Sequence, residues 1–269
     1  IAGGRPIRIK KAVFEGPRDA EAKALFLKEA RALAALRHPN ILSAKECLEL
    51  PQGIHLVFEC PAGKDAKEML SASKRLPLAQ AMGIIRPVCA GLAASHRSGL
   101  AHRNVRPSNF LILEGGGVLL RDFVLSRELE KAEGKNGDAG SAPVLDPAER
   151  ALKAYDAPEG RGGPQADVWG LGVSLYELLS GMVPFPAASQ QAKATRAFAK
   201  VGSLVPGLPP SIDLLIHRAL DPDPRSPRTR PPEGIHDHPR KRLRGVRALA
   251  RERFLKNRAR RPIRGLSSE

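Results

Sequence analysis

The sequence predicts an α+β fold, with strands gathered early in the chain and helices later. Two features carry the first part of that reading. Residues 7–11, Ile-Arg-Ile-Lys-Lys, alternate as a strand does, and strands at 42–50 and 54–59 meet at the turn Pro51-Gln52-Gly53. A third feature comes later. An Ala-rich helical run, 78–96, ends in a basic loop, and two short apolar strands follow, 110–113 and 118–121, with Asp122 behind the second. A chain of 269 residues has ample length for such a core, as one large domain or two small lobes.

Taken in order, the strand at 7–11 puts Arg8 and Lys10 on one face, because side chains two apart share a side. A helix is predicted over 19–37, with Ala22, Phe26, Glu29 and Leu33 along one side. His38-Pro39-Asn40-Ile41 stops it and leads into the hairpin. A short helix near 65–72 precedes the long one. The loop after it reads His102-Arg103-Asn104-Val105-Arg106-Pro107-Ser108-Asn109, and the second hairpin ends in Asp122-Phe123-Val124.

This order resembles the eukaryotic-type protein kinases, with their H-R-D-L-K-P-x-N catalytic loop and D-F-G metal loop. Further strings fit the same family. Tyr155-Asp156-Ala157-Pro158-Glu159 resembles Y-x-A-P-E, Asp167 to Gly181 resembles the family's central helix, and Leu220 to Arg225 resembles the late D-P-x-x-R, with Arg225, or else Arg228 or Arg230, pairing Glu159. The resemblance covers about residues 5–230 and implies a bilobal protein-kinase-like fold. Its lobes are 1–60 and 61–231, with a basic extension at 232–269. Only nine residues precede Lys10, so the family's Gly-rich loop has no counterpart and a truncated first lobe is expected: either the chain is a fragment or the lobe lacks its phosphate lid.

The resemblance also implies a ligand set. Lys10 grips the phosphates of ATP and pairs with Glu29; Phe58 is the gatekeeper, and Glu59 and Cys60 offer hinge backbone to adenine. Leu111 completes the cofactor-binding residues. Asn109 and Asp122 hold Mg2+, Arg106 stands for the family's catalytic-loop Lys, and Asp167 hydrogen-bonds the loop near His102 and Arg103. Arg103 itself has two readings, receiving a phosphate or serving the fold.

The departures concern chemistry. Asn104 occupies the position of the proton-accepting Asp, and an amide takes no proton at neutral pH. Losing a general base slows a reaction by roughly 10²–10⁴-fold. Leu152 replaces the Thr that would brace that acid, Val124 replaces the Gly of D-F-G, and Arg8 fills a slot that the family keeps small, or Ile9 does if Lys11 is the lysine. Activating phosphorylation would have only Ser126, Ser141 and Tyr155 to use, since the segment between Asp122 and Glu159 has no Thr. The resemblance thus implies a pseudokinase: a Mg-ATP-binding scaffold or regulator with weak or no phosphoryl transfer. The alternative is an active Ser/Thr protein kinase, which Pro107 favours over Tyr specificity.

Charge adds one feature. The net charge is +16, and residues 232–269 hold twelve Lys/Arg against four Asp/Glu, a net of +8. Leu243, Val246, Ala250 and Phe254 recur there at near-helical spacing among arginines, a pattern suited to anionic membrane or nucleic acid, or to a plain solvated extension. His236 and His238 lack the third partner a metal would need. Expected partners otherwise are protein substrates or binding proteins. Cys47, Cys60 and Cys89 lack a CxxC spacing and read as buried thiols of a reducing compartment. No stretch reads as a transmembrane segment, and a cytoplasmic location is expected.

Overall fold

The computed structural model describes residues 6–14, 20–125, 152–160, 162–185 and 189–223. The described residues all lie within one compact unit, Ile1–Thr229. The basic extension, the His236–His238 pair and the Arg225–Glu159 pairing all fall on, or depend on, residues outside the described ones.

The first lobe is an antiparallel sheet with a helix on it. β1 (Ile7–Ala12), β2 (Glu46–Leu50) and β3 (Gly53–Glu59) lie in the order β1-β3-β2, with Arg8 opposite Phe58 and Lys10 opposite Leu56. β3 forms its centre because Ile54, Leu56 and Phe58 alternate inward and are buried. The helix α1 (Ala20–Ala35) buries Phe26, Ala30 and Leu33, three residues that recur at helical spacing. A second sheet, β4 (Gly63–Asp65), β5 (Phe110–Leu113) and β6 (Val118–Leu120), opens the other lobe. The link after α1 ties the two lobes. Leu120 N–H donates to Asn40 O at 2.9 Å, Leu42 N–H to Leu120 O at 2.9 Å, and Asn40 Nδ2 to Val118 O at 3.0 Å.

The remaining elements are helical: α2 (Ala66–Ser73), α3 (Leu78–Arg97), α4 (Pro164–Ser180), α5 (Gln190–Ala194), α6 (Val201–Leu204) and α7 (Pro210–Ala219). Asp65 starts α2 with a capping box: its Oδ1 accepts from the Lys67 and Glu68 amides, while Glu68 Oε2 accepts from its own amide. α4 is buried almost all round, with Trp169 stacked on Phe185 at 5.5 Å. At Gly170 a Cβ would lie 2.7 Å from the Val105 carbonyl oxygen, so this glycine lets the basic loop rest directly on the helix.

One helix bears on the expectation of no membrane-spanning segment without overturning it, and the expectation of buried cysteines is corrected. Leu78–Arg97 is long and apolar enough to cross a membrane by length and composition, with mean hydropathy 1.3 over its best window. Here that apolarity serves the core: Ile84, Ile85, Val88 and Leu92 are buried, and the helix packs on α4, β5 and β6. The cysteines are not buried either. Cys47 and Cys60 are half-buried and Cys89 is exposed, all as free thiols.

Candidate functional site

The loop 102–109 is held by one buried acid. Asp167, 1% exposed in the first turn of α4, accepts from the His102 amide at 2.7 Å, the Arg103 amide at 2.7 Å and His96 Nε2 at 2.7 Å. A helix-starting Asp would ordinarily cap its own helix; this one clamps another element. His102 is fully buried and neutral. Its Nδ1 accepts from the Asn104 amide at 3.2 Å, so Nε2 carries the proton that it donates to Arg121 O at 2.9 Å. Burial drives its pKa from 6.5 down to about 4, with the nearby Asp167 charge opposing. Arg103 and Asp122 both take left-handed backbone, at φ 62° and 66°. Non-glycine residues adopt this at a cost only where the surroundings fix them.

Four of the expected site residues converge through direct hydrogen bonds. Asn109 Nδ2 donates to Asn104 O at 2.6 Å, Asn104 Nδ2 to Asp122 O at 3.4 Å, and Lys10 Nζ to Phe123 O at 2.9 Å. Phe123 packs on His102, ring centres 4.3 Å apart. Glu29 Oε1 accepts from Arg103 Nη2 at 3.0 Å, while Arg103 Nη1 reaches Val124 O at 3.2 Å. Arg103 therefore bonds α1 to the metal loop, the structural one of its two readings. Val124 is fixed from both sides, since its own amide donates to His102 O at 3.0 Å.

The carboxylate of Asp122 has an unforeseen partner. Arg8 Nη1 lies 2.7 Å from Oδ1 and 2.9 Å from Oδ2, and Arg121 Nε is 3.8 Å from Oδ2. Arg121 in turn bonds Asp65 Oδ2 at 3.1 Å and Ser108 O at 2.9 Å. A divalent cation needs carboxylate oxygens free to ligate it. Here one guanidinium sits on both, and a second stands beside them. The expected pair Asn109 and Asp122 does come together, but as arranged it does not fit Mg2+. Among the described residues no group of three or more His, Cys, Asp or Glu could hold a metal ion.

The hinge residues lie at the end of β3, and one differs from expectation. The Cys60 amide donates to Pro6 O at 2.9 Å, because the β1–β3 pairing runs on by one residue. That N–H is unavailable to a ligand, and Pro61 has none. Glu59 bonds Lys45 Nζ through Oε1 at 3.1 Å, and Leu111 is buried on β5 opposite Asp65.

A second cavity lies behind the loop, lined by Asn104, Arg106, Leu152 and Tyr155 among others. The residue at the brace position is thus beside Asn104, but it is an apolar side chain. Tyr155 donates to Glu177 Oε2 in a short contact, and Lys67 Nζ meets Glu177 Oε1 at 2.5 Å. Burial, then the Glu177 charge, push the Tyr155 hydroxyl far above its usual range, with Arg106 opposing. Buried Lys193 donates to the Lys153 and Asp156 carbonyls at 2.8 and 2.7 Å, pinning that segment.

Sequence reading missed Arg121, His96 and Lys193. Arg121 alone left a signal, as a cation adjoining the acid of the metal loop. The other two depend on contacts dozens of residues away.

Residues 4–230 match the model of the protein kinase domain. The chain belongs to the protein kinase family. The serine/threonine-protein kinase PknL of Mycobacterium tuberculosis is 31% identical to this kinase-family chain over 226 residues, covering 82% of it and 55% of PknL. PknJ of Mycobacterium bovis is 32% identical over 230 residues, covering 80% of the chain and 37% of PknJ. The chain therefore spans about half or less of these relatives' length. Among solved structures, Rad53 1-466 in complex with AMP-PNP superposes with a TM-score of 0.61 at 20% identity, covering 82% of this chain and 54% of that one. At that identity the likeness shows the kinase fold alone.

Proposed function

We propose that this kinase-family domain is a pseudokinase, a nucleotide-binding scaffold or regulator of protein partners with weak or no phosphoryl transfer. One observation carries the reading. Asn104 stands where a proton acceptor would act, and its side chain is an amide whose Nδ2 donates to the Asp122 carbonyl at 3.4 Å, a donor in the place of a base. Phosphoryl transfer relies on positioning and on neutralising charge at the phosphates. Lys10 keeps its place beside the metal loop, Glu29 contributes through Arg103, and Leu111 and Glu59 keep the positions that the family uses around a base. The nucleotide reading rests on these. Residues 1–60 and 61–231 act as the two lobes in a cytoplasmic protein, and 232–269 as a separate basic contact for an anionic surface.

The second reading is an active Ser/Thr protein kinase, favoured by the names of the relatives PknL and PknJ. Purified protein with Mg-ATP and a generic protein acceptor separates the two. The pseudokinase reading expects incorporation at background. Robust incorporation that Asp122→Ala abolishes would establish the active enzyme instead.

A further inference from the structure

Arg8 is the feature that neither the fold nor the function above uses. It lies two residues before Lys10 on the same face of β1 and crosses to Asp122, 114 positions later. The contact uses Nη1 alone, on both carboxylate oxygens. A guanidinium carries its five N–H donors in a planar fork, so Nε and Nη2 are left for another acceptor. Exposure agrees with this division: the Arg8 side chain is 48% exposed, whereas that of Asp122 is 18% exposed. One edge of the cation is sheltered on the acid, and about half of the side chain is open to solvent.

The surroundings are suited to an anion. Arg121 stands 3.8 Å from the same carboxylate, anchored by Asp65, and the Lys10 ammonium lies on the carbonyl of the next residue, Phe123. Two carboxylates, Asp122 and Asp65, thus stand against two guanidiniums, and the Lys10 ammonium close by leaves the cluster with an excess of positive charge. An added divalent cation would meet like charges here, whereas phosphate oxygens would meet donors. Guanidinium recognises phosphate through paired, charge-assisted hydrogen bonds.

We infer that Arg8 takes the place of the divalent cation, bridging Asp122 to the phosphates of a nucleoside polyphosphate, so that the cleft binds nucleotide without metal. The inference rests on the nucleotide-binding reading above and deepens it. It also accounts for a bulky cation at a position where the family resemblance implies a small residue.

The test is calorimetric titration of the full chain with ATP, once in EDTA and once in MgCl2, repeated for Arg8→Ala and with adenosine as ligand. The wild type should bind ATP in EDTA to within about threefold of its affinity in magnesium. Arg8→Ala should lose about tenfold or more in EDTA, the size of one charge-assisted contact, and recover part of it with magnesium. Adenosine, which has no phosphate, should bind both proteins alike. Arg8→Lys should fall between, keeping charge but not the fork. ATP binding that requires magnesium in the wild type would overturn the bridge and leave the nucleotide reading standing. So would Arg8→Ala binding ATP in EDTA as tightly as the wild type or better, which would make Arg8 an obstruction. An equal loss for adenosine would overturn the phosphate contact. No binding by either protein in either condition would overturn the nucleotide reading itself.

Discussion

The floor of the cleft and its mouth, only a few residues apart, obey different rules. On the floor, Asp167 collects two loop amides and His96 in a buried cluster, and the neutral His102 ring links Asn104 to Arg121. At the mouth, Asn104, Arg8 and Arg121 surround Asp122 with groups that neither accept a proton nor leave room for a cation. The floor is also part of the fold, since each of its hydrogen bonds satisfies a buried group that would otherwise be stranded. The mouth is half open to water, where a change of side chain costs little stability. Side chains at the mouth can therefore vary while the frame beneath them is kept.

The sharpest way to break this contrast is to mutate the two acids. Asp167→Ala strands three buried donors and should cost about 3–5 kcal/mol, lowering Tm by roughly 10 °C for a domain of this size. Asp122→Ala removes an ion pair with a half-exposed partner and should cost no more than about 1 kcal/mol. Equal losses in thermal denaturation would erase the distinction.

His102 gives the floor a pH signature. Its folded pKa of about 4 lies below the ordinary 6.5, so between these values the unfolded chain binds a proton that the folded chain refuses. Stability contributed by His102 is complete above about pH 6.5 and is lost as pH falls toward 4, by a few kcal/mol in all. Denaturant melts at stepped pH should show that slope, and His102→Gln should flatten it. An unchanged slope in the variant would place the acid sensitivity elsewhere.

Smaller effects are expected farther out. Tyr155→Phe removes one hydroxyl from the buried Glu177 and should cost about 1–2 kcal/mol, with Lys67 still neutralising the acid. Arg8→Ala should change Tm by no more than a few degrees, because its side chain is half exposed. A large drop there would make Arg8 part of the frame.

How legible this was from sequence follows the same division. Alternation at 7–11, the turn Pro51-Gln52-Gly53 and the helical run from Leu78 are local patterns, and the structure has β1, the β2–β3 hairpin and α3 there. The order of motifs placed Lys10, Asn104, Asn109 and Asp122 in one neighbourhood. Of the partners joined over long separations, the family motifs implied Asp167 with the loop amides, and others were not legible. Nothing local says that Arg8 reaches Asp122, that Arg103 meets Glu29, or that the Cys60 amide joins the sheet through Pro6. A long side chain can turn several ways, and only the packed structure selects one. Nor does composition distinguish a membrane-length helix from a core helix, as Leu78–Arg97 illustrates.

The central claim is that transfer is blocked at the mouth while the floor remains sound, and the most direct measurement restores the mouth. The double variant Arg8→Ala with Asn104→Asp should transfer phosphate from Mg-ATP to a protein acceptor well above the wild type, by up to about 10²-fold if the base is what is missing. A wild type that already transfers phosphate as fast as the double variant would contradict the account.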